Sequence, residues 1–166
     1  MLLERFPLYF ALIALSIGMA SFTNARLVLR FGMRFLVWWS LIVILGLATL
    51  ALGIAIITAG QLPLWTVITY LMSTFFCVGI LFGNQNALAM EPLGNLAGIG
   101  AAVVGSLSTL ISIPLGTLIG QSFNGTTVPL ITGIAILSGL SLGVVHWANT
   151  NSESDTESSS ISYSTD

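Results

Sequence analysis

Charge is what this 166-residue sequence has least of. Charged residues make up 6% of it and hydrophobic ones 55%, where ordinary soluble domains carry about 25% charge. Between Phe35 and Ser152 the only formally charged side chain is Glu91. Such a chain has too little polar surface to cover itself in water, which excludes an ordinary soluble fold. No basic patch with interleaved aromatics is present, which excludes nucleic acid as a partner. The single cysteine, Cys77, rules out an intramolecular disulfide and leaves the redox compartment open. Neither a metal-ligand cluster, nor a nucleophile–base pair, nor a phosphate-binding glycine loop occurs. The expectation is therefore no enzyme, no metal and no cofactor.

What charge there is sits in two places. Residues 24–34, NARLVLRFGMR, hold three of the four basic residues, Arg26, Arg30 and Arg34, between long apolar runs at 6–22 and 35–58. Burying one Arg at a bilayer centre costs about 2.5–3.5 kcal/mol on insertion scales. This stretch is expected to emerge as a loop, and short Arg-rich loops stay cytoplasmic. The second place is the end of the chain, NTNSESDTESSSISYSTD from Asn149. It is acidic and Ser/Thr-rich and is predicted to be a disordered cytoplasmic tail over 149–166.

The apolar runs parse into an all-α integral membrane protein with about five transmembrane helices, over 6–22, 35–58, 64–90, 96–121 and 128–147. A ~30 Å hydrocarbon core needs about 20 residues of helix at ~1.5 Å rise. Trp38, Trp39, Trp65 and Trp147 fall at predicted span ends, where indoles prefer to lie. So do Pro7, Pro63, Pro92 and Pro129; only Pro114 is mid-span. A secretory signal peptide is the competing reading of the first run, but the arginines after it hold that side in the cytoplasm.

Spans two and five carry little polarity and are expected to face lipid. In span four, Ala97, Ala101, Gly105, Thr109, Ser112, Gly116 and Gly120 recur at steps of three or four. This is the small-residue pattern that lets membrane helices approach closely. Packing is its plain reading; Thr109 and Ser112 beside Pro114 also fit a cavity-facing segment. In span three Tyr70, Ser73, Cys77 and Asn84 share a face, and Asn84 either hydrogen-bonds a neighbouring helix or lines a watered path. Glu91 and His146 read as interfacial residues rather than proton carriers. Asn124-Gly125-Thr126 matches a glycosylation sequon and equally a turn.

Two stretches resemble a known family. NARLVLRFGMR is similar to the repeat of the cytoplasmic basic loop of the major facilitator superfamily, with Leu27, Arg30, Gly32 and, offset by one place, Arg34 matching. The run from Asn86 to Leu130 resembles the tenth-to-twelfth helix region of Bcr/CflA-type drug-resistance transporters, including Ala87-Leu88-Ala89-Met90, Ala97-Gly98, Gly105-Ser106 and Asn124-Gly125-Thr126. The resemblance implies the C-terminal part, helices eight to twelve, of a twelve-helix proton-driven exporter of drugs or small metabolites in the cell inner membrane. It also implies that the spans matching helices eight, ten and eleven border the cavity. Tyr70, Ser73, Cys77, Asn84, Thr109 and Ser112 are then cavity candidates, and Arg30, Gly32 and Arg34 gating-loop candidates. Ala97, Ala101, Gly105, Gly116 and Gly120 are helix-packing candidates. The expected partners are the lipid bilayer, the missing N-terminal half or a second copy, a small molecule and protons. A part of this kind is not competent alone. The alternative is a small self-associating membrane protein, acting as a structural or regulatory partner or as a dimeric exporter.

Overall fold

The computed structural model describes the backbone of residues 2–163 and the side chains of residues 7–150. Among the described residues the chain is helical throughout, with no strand. The elements are α1 (Leu2–Phe31), α2 (Met33–Ile57), α3 (Leu64–Met90), a 3₁₀ segment (Glu91–Leu96), α4 (Ala97–Gln121) and α5 (Val128–Tyr163). Four described stretches are long and apolar enough to cross a membrane: Pro7–Phe31, Met33–Ile57, Leu64–Gln121 and Val128–Thr150. In hydrocarbon a helix satisfies its own backbone polar groups, so long apolar runs settle into this form. The breaks fall at glycine and proline. Gly32, Gly60, Gly94 and Gly125 all have positive φ, and Pro63 precedes the first residue of α3.

Residues 24–31 are the first departure from expectation. They are the last two turns of α1 and not a loop. Three arginines set the depth of a segment without setting its backbone form, and Arg and Leu are good helix formers. At ~1.5 Å per residue, 30 residues span about 45 Å, so the arginine end can stand clear of a ~30 Å core as helix. Only Gly32, at φ 80°, separates α1 from α2. A second departure lies at the far end, where the backbone of α5 stays helical to Tyr163 although disorder is expected from Asn149. No Gly or Pro follows Gly143 to stop it. The side chains after Thr150 lie outside the described residues.

Packing gives the third correction. α2 and α3 form the central pair, α1 lies on α3, and α5 lies on α2. Far from facing only lipid, α2 buries Leu36, Val37, Ser40, Leu41, Ile44, Ala48, Ala51 and Ala55 along one face. Its small residues Ser40, Ala48, Ala51 and Ala55 let neighbours approach on both sides. α5 buries Ile131 and Ser138. Two cores result: Ala20, Leu36 and Ile80 join α1, α2 and α3, while Ala48, Ala51, Tyr70 and Ile131 join α2, α3 and α5. α4 contributes no buried residue.

The ends of the bundle are distinct. At one, Tyr9 and Trp65 meet edge to face, with centroids 6.3 Å apart, and a Cβ on Gly60 would meet Thr126. At the other, Arg34 of α2, Gln85 and Glu91 at the end of α3, and Val145 and Asn149 of α5 line one cleft. α3 therefore runs from the Trp65 end to the arginine end. α4 begins beside Met90 and Leu93 and finishes with Ile119 against Gly133 of α5.

Candidate functional site

The chemistry-bearing residues of α3 divide among three environments. Deepest is Asn84, 2% exposed. Its Nδ2 donates to Asn24 Oδ1 at 2.6 Å and to Ile80 O at 2.8 Å. An amide in hydrocarbon is costly unless paired, and here both donors of one amide are used. Through Asn24, Asn84 joins α1 to α3, the hydrogen bond to a neighbouring helix that is one of the two readings of this amide. The helices meet closely beside it. A Cβ on Gly79 would stand 2.8 Å from Ala20 Cβ, and one on Gly83 would stand 3.7 Å from Asn24 Nδ2. Gly79-x-x-x-Gly83 of α3, a small-residue pair four apart, lies against Ala20 and Asn24 of α1.

Nearer the Trp65 end, Tyr70 and Ser73 come together in a groove of about 380 Å³ between α2 and α3. Leu47, Leu50, Ala51 and Ile54 supply its apolar side, and Trp65, Thr66 and Thr69 complete the α3 side. Tyr70 is 7% exposed, and its Oη makes no hydrogen bond. Thr74 Oγ1, one turn on, is likewise buried without a partner. A buried phenol with free hydrogen-bonding capacity in an apolar groove suits an amphipathic small molecule. Cys77, half-buried and free, does not line this groove.

Thr109 and Ser112 lie on α4, exposed. Thr109 donates to Gly105 O at 2.8 Å and Ser106 to Ala102 O at 2.7 Å, so these hydroxyls are satisfied within their own helix. α4 remains helical through Pro114, which has no N–H to offer Leu110 O, four residues back. Thr109, Leu110, Gly105 and Ala101 share a shallow external groove. Among the described residues the glycines of the helix-packing stripe have open space around them. A Cβ on Gly105, Gly116 or Gly120 would have no neighbour within 4 Å, Ala101 is exposed and Ala97 half-buried.

At the arginine end, Arg26 lies over the Phe22 ring at 4.6 Å and Arg30 near Phe31 at 5.5 Å; Arg26, Arg30 and Arg34 are exposed. Glu91 is also exposed. Glu91 and Arg34 share a cleft of about 440 Å³ without forming an ion pair. Asn124 Oδ1 accepts from Thr126 N and Oγ1 at 3.3 and 2.7 Å, so the Asn-Gly-Thr stretch is a side-chain-stabilised turn.

Sequence reasoning missed Asn24, Gly79 and the small face of α2. Asn24 was the one amide in α1, and a lone amide in an apolar span asks for a partner. No protein-family model, curated protein or solved structure matches this chain.

Proposed function

We propose that this chain is one part of a membrane exporter of small amphipathic molecules, of the major facilitator kind that its sequence resembles. In this reading α3 and α4 are two separate spans divided at Gly94, which makes five, and the arginine end and the α5 extension face the cytoplasm. The observation that carries the proposal is α4: a 25-residue apolar helix with no buried side chain, beside four helices that pack together. Its stripe of Ala101, Gly105, Gly116 and Gly120 is free for helices outside the described bundle, and Thr109 and Ser112 would meet substrate from that side. Tyr70 and Ser73 are the contacts offered by α3. Arg30, Gly32 and Arg34 form the stiff cytoplasmic joint between α1 and α2, where a rocking half would bear on its neighbour.

A drug-susceptibility assay tests this. The chain is expressed in a susceptible cell alone and beside a seven-helix N-terminal segment of such a transporter. Resistance only with that segment is the expected result, and Tyr70→Phe should then weaken it. Resistance from the chain alone would contradict the reading and favour a self-associating exporter.

A further inference from the structure

Arg34 stands between two clefts. One is shared with Glu91; the other, of about 300 Å³, is lined by Arg34, Phe35, Trp38, His146 and Asn149, with no carboxylate among the described residues that line it. We propose that this second cleft, between the start of α2 and α5, holds the phosphate of an anionic phospholipid.

Four features point the same way. The Arg34 guanidinium makes no ion pair among the described residues and is suited to bidentate phosphate recognition. Helix α2 starts here with Gly32 at its cap and no side-chain cap hydrogen bond, so its first-turn N–H groups and positive dipole end stay available to an anion. Trp38 and His146 lie with ring centroids 5.8 Å apart, which places an indole N–H and an imidazole in the same wall. Asn149 adds an amide at the rim.

The apolar surroundings distinguish a lipid from a soluble phosphate. Phe31, Phe35 and Trp39 form an exposed ladder along one face, with successive centroids 5.3 and 5.9 Å apart. All three are about half exposed. From Phe35, which lines the cleft, Trp39 leads one turn on along the apolar body of α2, where the glycerol and acyl portions of a lipid would lie, while Phe31 of α1 stacks on the other side of Phe35. A free phosphate has no use for this ladder. Basic pockets between helices at a membrane face are known to take anionic head groups.

The test is native mass spectrometry of the purified full chain in detergent. Phosphatidylglycerol is titrated against phosphatidylcholine of the same acyl chains. The chain should retain phosphatidylglycerol preferentially. Arg34→Gln should lower that retention about five-fold, while Arg26→Gln, on the exposed face of α1, changes it less than about two-fold. His146→Leu, exposed and outside both cores, is the second variant and should also lower it. Unchanged helicity by circular dichroism confirms that each variant folds. Equal losses from Arg34→Gln and Arg26→Gln would mean diffuse surface charge and overturn the site. Displacement of the lipid by millimolar glycerol phosphate would overturn the lipid assignment in favour of a soluble phosphate.

Discussion

The α1–α3 contact and α4 both carry small residues at helical spacing, yet only one of them is an interface inside this chain. In the first, Gly79 brings α3 onto Ala20 and Gly83 lies beside Asn24 of α1, and a polar pair, Asn24 and Asn84, closes the contact at 2.6 Å. In the second, Gly105, Gly116 and Gly120 face open space, and the hydroxyls of Ser106 and Thr109 turn back to their own backbone. A small-residue stripe permits close approach; it does not choose the partner. The choice here is made by a buried amide that has one satisfactory place to go. The stripe of α4 has no such anchor among the described residues, which is why it remains available.

The largest expected effect comes from overfilling the first interface. Gly79→Val should destabilise the bundle by about 1–3 kcal/mol, because even a Cβ meets Ala20 at 2.8 Å. Its readout is loss of folded yield and a lower midpoint in detergent unfolding. Gly32→Ala comes next. No atom stands near a Cβ there, so the cost is the positive φ alone, about 1–2 kcal/mol by the same unfolding measurement. A smaller term belongs to the amide clamp. A double-mutant cycle of Asn24→Ala and Asn84→Ala should return a coupling of about 0.6–1.7 kcal/mol; a coupling near zero would show that the pair does not hold α1 to α3. Smallest of all, Gly105→Val on α4 should leave the stability of the isolated chain within about 0.5 kcal/mol. The same change should abolish assembly with whatever covers that helix, which co-purification from membranes would detect.

The helices were legible where the sequence punctuates itself. Pro63, Gly94 and the Asn124-Gly125 turn mark breaks that composition alone exposes, and Val128 begins α5 where Pro129 suits a first turn. The end of α1 was not legible, because arginines report depth in the bilayer and Gly32 alone reports the break. Nor was the choice of core helix: α2 looked lipid-facing for want of polar residues, yet Ser40, Ala48, Ala51 and Ala55 make it central. Of the candidate site, the pairing of Tyr70 with Ser73 follows from helical spacing. The partner of Asn84 does not, since Asn24 lies 60 residues away and only the packing of α1 on α3 joins them.

The most direct test of the central contrast is a spin label on α4 read in dilute lipid nanodiscs, one chain per disc. Cys77→Ser removes the native thiol, and Gly105→Cys or Ile80→Cys carries the label. The account predicts a mobile, oxygen-accessible spectrum at position 105 and an immobilised one at position 80, which is buried between α1, α2 and α3. An immobilised label at 105 in the single chain would mean that α4 packs within its own bundle, and the case for an outside partner on that face would fall.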